Sequence, residues 1–190
     1  MDIRYLENII TQQLSTQRVT HVKGVALTAK KLAQHWKCDS NLAYIAGLLH
    51  DITKEMSPRH HDLVGFSEEE LQIKLFNAFP SVWHAFFAPI YIAREFNISD
   101  TDILNAVKYH TTGAGNMSDL EKILFISDFI EPSRTYIEKD TVVEIANRDL
   151  NRATYEVAKS SLCHVISKDM PIHPKTLECY NYYCKYRHLT

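Results

Sequence analysis

Ala43-Tyr44-Ile45-Ala46-Gly47-Leu48-Leu49-His50-Asp51-Ile52-Thr53-Lys54 reads as an apolar helix that ends on an imidazole and a carboxylate side by side. Leu42, Ile45, Ala46 and Leu49 recur at helical spacing, so one face is built for a core. Lys54 follows the pair by one turn. Neighbouring nitrogen and oxygen donors beside a cation are what a metal site needs to hydrolyse a phosphate ester. One such pair is weak alone, and its weight rests on what the rest of the chain supplies.

Helix signals recur in both directions from this stretch. Ser67-Glu68-Glu69-Glu70, Ser99-Asp100-Thr101-Asp102 and Ser118-Asp119-Leu120-Glu121 carry the capping-box pattern. In that pattern a hydroxyl and a carboxylate three residues on satisfy orphan N–H groups. Ile123, Ile126, Phe129 and Ile130 form another apolar face. Only five glycines occur and no period-2 alternation persists, which argues against sheet. The spacing predicts helices near 2–13, 18–36, 40–50, 67–77, 81–96, 100–110, 119–130, 140–150, 152–168 and 174–186. The turns between them use Ser57-Pro58, Thr111-Thr112-Gly113-Ala114-Gly115-Asn116, Glu131-Pro132-Ser133 and Met170-Pro171-Ile172-His173-Pro174. The expected fold is all-α.

The chain has 190 residues, 45% of them hydrophobic, which suits one domain with a real core. With 21 basic and 23 acidic residues it carries no basic field for nucleic acid or a membrane surface. The charged opening Met1-Asp2-Ile3-Arg4 lacks a signal-peptide pattern, no apolar run reaches membrane-spanning length, and the expected location is cytoplasmic. Cys38, Cys163, Cys179 and Cys184 form no Cys-x-x-Cys pair and read as reduced, mostly packed thiols. Zinc on Cys179 and Cys184 would lack two further ligands at finger spacing.

Ten histidines make position more informative than number. His21, His50, His84 and His110 fall in apolar helical contexts or at helix ends. Asp128 lies in the nearly apolar run Ile123–Ile130, where an unpaired carboxylate is costly and calls for a cation or strong donors. Each residue also has a structural reading, a packed histidine or an aspartate serving a cap or an arginine. Together they place four imidazoles and two carboxylates, Asp51 and Asp128, on separate helical segments, as helix bundles do when they build metal sites. His35, His60, His61, His164, His173 and His188 lack that context and read as surface or packing residues.

The order resembles the HD-domain superfamily of metal-dependent phosphohydrolases over about residues 18–135. Arg18-Val19-Thr20-His21 with Gly24-Val25 is similar to its opening segment, and Ala46–Lys54 to its signature. His110-Thr111-Thr112-Gly113 and Asp128-Phe129-Ile130-Glu131-Pro132-Ser133-Arg134 resemble more narrowly the YqeK group, the symmetrical bis(nucleosyl)-tetraphosphatases. The resemblance implies a single HD-type helical bundle over 1–190, with a core at about 18–135 and a C-terminal helical extension at about 136–190. It implies two metal ions, iron first, with manganese or zinc also suited to such donors. One would be held by His21, His50, Asp51 and Asp128, the other by His84 and His110, with Asp51 bridging. Around His84 the stretch Trp83-His84-Ala85-Phe86-Phe87-Ala88 is bulkier than the family pattern.

The implied reaction is symmetrical cleavage of diadenosine tetraphosphate, or a related dinucleoside polyphosphate, to two nucleoside diphosphates by metal-activated hydroxide. Lys54, Arg18 and Arg134 are candidates for stabilising phosphate charge. For Lys54 the alternative is an exposed helix-closing lysine, and for the arginines the orientation of a ligand carboxylate. Thr111, Thr112 and Gly113 could contact phosphate or ribose, or simply stop a helix. Glu131 is a candidate partner for a ligating histidine. The tyrosines Tyr180, Tyr182, Tyr183 and Tyr186 suit packing or a homodimer surface, with base stacking as an alternative. Competing readings are a one-metal HD nucleotide phosphohydrolase, a nucleotide-binding regulator without turnover, and a di-iron oxygenase on the same scaffold.

Overall fold

A computed structural model describes residues 2–187, and His188 lies outside the described residues. The α-helices are α1 (Ile3–Gln13), α2 (Thr16–His35), α3 (Ser40–Leu49), α4 (Ile73–Ala78), α5 (Pro80–Glu95), α6 (Thr101–Tyr109), α7 (Asp119–Ile130), α8 (Lys139–Ala146), α9 (Leu150–Ser167) and α10 (Pro174–Tyr183). Among the described residues there is no strand, as the low glycine content and missing alternation predict. No described helix is long and apolar enough to cross a membrane.

Local chemistry starts most of these helices. Ser118 and Glu121 form the full capping box of α7: Glu121 N donates to Ser118 Oγ at 3.3 Å and Ser118 N to Glu121 Oε2 at 2.6 Å. At α6 the cap is Asp100 rather than Ser99; its carboxylate accepts from Asp102 N and Ile103 N. Asp149 caps α9 in the same way, so the break between α8 and α9 comes earlier than the expected 140–150 helix allows.

The helix expected over 67–77 is shorter. Ser67 and Glu70 do make their reciprocal bonds, but α4 begins only after Gln72, which has a φ of 49°. Tertiary bonds to α5 explain the break. Gln72 Nε2 donates to the Phe86 carbonyl at 3.1 Å, and Trp83 Nε1 donates to the Leu71 carbonyl at 2.7 Å. The Trp83 bond takes up the Leu71 carbonyl, a backbone acceptor that a continuous helix would use for itself.

Two buried apolar clusters lie on either side of the histidines and aspartates singled out in the sequence. One joins α1, α2, α3, α5 and α6, the other α7, α8, α9 and α10 with one side of α2. Helices α2 and α3 cross in backbone contact: a Cβ on Gly47 would lie 2.5 Å from Ala26 Cα. That closeness carries the end of α3 to the α2 face bearing His21.

The loop after α6 is held by α10. Gly113 has a φ of 62°, and a Cβ there would meet Cys179 Sγ at 2.4 Å, so only glycine suits both backbone and packing. Gly115 N donates to Glu178 Oε1 at 3.1 Å and Met117 N to the Tyr183 hydroxyl at 2.9 Å, while Tyr182 Oη donates to Asn116 Oδ1 at 2.8 Å. Two of the C-terminal tyrosines thus brace the segment that follows His110. All four cysteines are free.

Candidate metal centre

Six side chains from five segments converge between the two apolar clusters. His21 projects from α2, His84 from α5 and Asp128 from α7; His50 and His110 cap α3 and α6, and Asp51 follows His50. His50 is fully buried, and His21, Asp51, His84 and His110 nearly so. Asp128 retains 22% exposure of its side chain, which places it at the mouth.

Asp51 sits at the middle, with its two oxygens facing different groups. Oδ2 lies 3.6 Å from His50 Nε2 and 3.7 Å from His21 Nε2. Oδ1 lies 3.2 Å from His84 Nε2 and 3.4 Å from His110 Nε2. His21 Nε2 is also 3.2 Å from Asp128 Oδ1. The clusters His21–His50–Asp51, Asp51–His84–His110 and His50–His110–Asp128 each bring their ligand atoms within 4.8 Å of one another.

The donor set fits a divalent cation for a reason internal to the site. His50 Nδ1 donates to the Gly47 carbonyl at 2.7 Å and His110 Nδ1 to the Val107 carbonyl at 2.6 Å. A carbonyl only accepts, so each neutral ring turns a bare Nε2 lone pair inward. His21 Nδ1 faces Glu131 Oε1 at 3.1 Å, which directs its Nε2 inward too. These nitrogens then crowd one another: His50 and His21 Nε2 are 3.3 Å apart, as are His84 and His110 Nε2. Inward lone pairs around carboxylate oxygens are what a metal ion satisfies.

Burial holds the His50 and His84 imidazoles neutral, as ligation requires. It pushes the pKa of His50 down to about 4 and that of His84 down to about 3. Burial also lowers His21, but the Asp128 and Glu131 carboxylates on its two nitrogens outweigh that and raise its pKa. Burial would raise Asp51; His50, His110 and His84 around it hold its carboxyl well below the usual range. Asp128 is likewise held far below by His21, His50 and Arg134 against the effect of burial.

The HD domain family model matches residues 18–133 of the chain, a span that contains all six convergent side chains. The chain belongs to the HD-domain family. It is 35% identical over 91% of its length to a Bacillus subtilis protein named symmetrical bis(5'-nucleosyl)-tetraphosphatase, 92% of which is covered. A Staphylococcus aureus protein of the same name is 33% identical, with 96% of this chain and 95% of that protein covered. The fold matches a Clostridium acetobutylicum crystal structure, described as a predicted HD superfamily hydrolase involved in NAD metabolism. That match has a TM-score of 0.84 at 30% identity, over 98% of this chain and 99% of that one.

In this HD-domain protein two arginines stand on the convergent carboxylates and a lysine on one of the histidines. Arg18 Nη1 donates to Asp51 Oδ2 at 2.6 Å, and Arg134 Nη2 to Asp128 Oδ1 at 2.6 Å. Lys54 Nζ lies 3.2 Å from His84 Nε2, and burial lowers its pKa. Thr111 Oγ1 reaches both His84 Nε2, at 3.3 Å, and His110 Nε2, at 2.9 Å. Thr112 and Gly113 are turned away. The Thr112 hydroxyl donates to the Gly113 carbonyl at 2.8 Å, and Gly113 N to the Tyr109 carbonyl at 2.8 Å. Glu131 is 1% exposed and doubly pinned: Ser133 N donates to Oε2 at 2.8 Å and Ser133 Oγ to Oε1.

Two openings beside the centre were not foreseen from the sequence. A cavity of about 370 Å³ is lined by Lys54, Thr111, Asp128 and Arg134 and by residues of α9. A second, of about 330 Å³, lies over Arg18, His21 and Arg134 and is lined by Ser15, Gln17 and Glu55. No local pattern in α9 marks it as a wall, since its contribution comes from packing on α7.

Proposed function

We propose that this HD-domain protein is a two-metal hydrolase that cleaves dinucleoside tetraphosphates symmetrically, converting diadenosine tetraphosphate to two ADP. The observation that carries the reading is the divided Asp51 carboxylate, with one oxygen toward His21 and His50 and the other toward His84 and His110. A carboxylate so placed suits a bridge between two ions. His21, His50, Asp51 and Asp128 would hold one and Asp51, His84 and His110 the other. The all-nitrogen-and-oxygen donor set accords with iron, and also with manganese or zinc. The names of the bacterial relatives support the substrate class, and we read residues 1–190 as one HD-type domain.

Bound metal supplies Lewis-acid charge and a water of lowered pKa. The chain's own residues do the rest. Arg18, Lys54 and Arg134 ring the centre with positive charge, where the non-bridging oxygens of a tetraphosphate gather. Thr111 offers a hydroxyl at the same edge. The leaving group is a nucleoside diphosphate, a weak base, so the reaction needs no dedicated general acid. Glu131 holds His21 in the tautomer that turns Nε2 inward.

Product analysis tests the reading. Incubation of the metal-loaded protein with diadenosine tetraphosphate is expected to yield two ADP per substrate, with two metals per chain by elemental analysis. Formation of ATP and AMP, or full activity with a single metal and with His84→Ala, would overturn it.

A further inference from the structure

Asp51, Thr53 and Glu55 alternate along the turn that follows α3, and each reaches a different part of the fold. Asp51 divides its carboxylate between two pairs of histidines. Thr53 is fully buried, and its hydroxyl donates to the His84 carbonyl at 2.9 Å. Glu55 turns to the start of α2: Ser15 N donates to Oε2 at 2.9 Å and Ser15 Oγ to Oε1 at 2.6 Å. The turn itself is tight, with Lys54 N donating to the Asp51 carbonyl at 2.9 Å and Met56 N to the Thr53 carbonyl at 3.1 Å. A short strut centred on the shared carboxylate thus grips the helix of His84 at one point and the helix of His21 at another.

The grip on α2 matters because of where the helix is otherwise held. Ser15 is its N-cap, and Ser15 Oγ accepts from Arg18 N at 3.3 Å. The crossing of Gly47 on Ala26 lies roughly 16 Å further along the helix, at about 1.5 Å per residue. His21 falls between the two. A helix held at the crossing alone can pivot there, and a pivot would move His21 relative to Asp51. Glu55, whose side chain is 37% exposed, spends its charge on the cap and removes the pivot. It also faces Arg18. The buried Arg18 Nε makes no hydrogen bond among the described residues and lies 4.0 Å from Glu55 Oε1, while Arg18 Nη1 rests on Asp51 Oδ2. The contacts of Glu55 therefore serve the Oδ2 side of Asp51, and the Thr53 bond serves the Oδ1 side, where His84 stands.

We infer that Glu55 and Thr53 are positioning residues of the centre, Glu55 setting the His21 half and Thr53 the His84 half against the two oxygens of Asp51. Neither touches the reacting atoms. The inference rests on the two-metal reading for its second half and is measurable without turnover.

Manganese(II) affinity, measured by chelator competition in two backgrounds, tests it. His84→Ala leaves the His21 half complete, and His21→Ala leaves the His84 half complete. In the first background Glu55→Ala is expected to weaken the ion about tenfold, the low end for loss of an outer partner. Thr53→Val, which drops only the hydroxyl, is expected to leave it within about twofold, as for independent sites. In the second background the pattern reverses. Glu55→Gln, which keeps an acceptor and a donor for Ser15, and Thr53→Ser, which keeps the hydroxyl, are each expected to stay within about twofold of their background. Equal weakening in both backgrounds would mark a merely structural role and overturn the inference, as would native affinity in all four combinations. Two manganese ions in the native protein without any selective effect would sink the positioning roles and leave the two-metal reading. A single ion in the native protein, weakened by only one of Glu55→Ala and Thr53→Val, would do the reverse.

Discussion

Gly24→Ala is expected to weaken metal binding without touching a ligand. Gly24 sits in α2 three residues after His21, and a Cβ there would lie 2.8 Å from Glu131 Oε2, closer than real Cβ atoms approach. The carboxylate must move, yet both of its oxygens are pinned by Ser133 and it is 1% exposed. Displacing it strips His21 Nδ1 of its 3.1 Å partner and frees the ring that aims Nε2 at Asp128. Loss of such an orienting carboxylate typically costs 10- to 100-fold in metal affinity, or about 1.4–2.7 kcal/mol. The helix itself gains about 1 kcal/mol from alanine in place of glycine, which offsets the loss within the metal-free fold. The thermal midpoint of metal-stripped protein is thus expected to stay within about 2–4 °C of the native one. Competitive chelator titration, run beside thermal melts and beside Glu131→Gln, separates the two effects. Native metal affinity in Gly24→Ala would refute the role assigned to Glu131.

Asp51→Asn is expected to abolish bound metal and activity together, because both halves of the centre share that carboxylate; elemental analysis showing two metals retained would remove it as the bridge. Lys54→Ala should retain its metals while the turnover number falls by about 10²–10³-fold, and a native rate would exclude Lys54 from the chemistry. Acid should destabilise the metal-free protein. The unfolded chain protonates His50 and His84 near their ordinary value of 6.5, whereas the folded chain resists until about 4 and about 3. The stability tied to these rings is whole above 6.5 and is lost as pH falls toward those values. By pH 4.5 the loss is on the order of 2–3 kcal/mol per ring, offset in part by the raised pKa of His21. Denaturant melts that show no fall between pH 7 and pH 4.5 would contradict the neutral-imidazole assignment.

Much of the molecule was legible residue by residue. The Ser118 capping box and the apolar spacing of Ile123, Ile126 and Ile130 set α7 because helix starts and amphipathic faces are local properties. The six convergent side chains stood out because polar residues in apolar helical settings are costly unless used. Where local pattern and structure part, tertiary contacts are the reason. Ser67–Glu70 made its local bonds, but Gln72 and Leu71 bonded to α5 and the helix broke there. Thr112 and Gly113 lay in a promising motif, but α10 holds that loop so that Thr111 alone faces the centre.

By itself the sequence determined the helical fold, the histidines and aspartates available to a metal, and the basic residues beside them, since each follows from composition, spacing and capping within a few positions. Only the tertiary structure decided how those groups are shared. Arg18 meets Asp51 from 33 residues away and His21 meets Glu131 from 110. The division of Asp51 between two pairs of histidines and the α9 wall of the cleft depend in the same way on how helices distant in the chain pack. No local period encodes that packing, because it is set by the close α2–α3 crossing and by the burial of two apolar clusters on either side of the site.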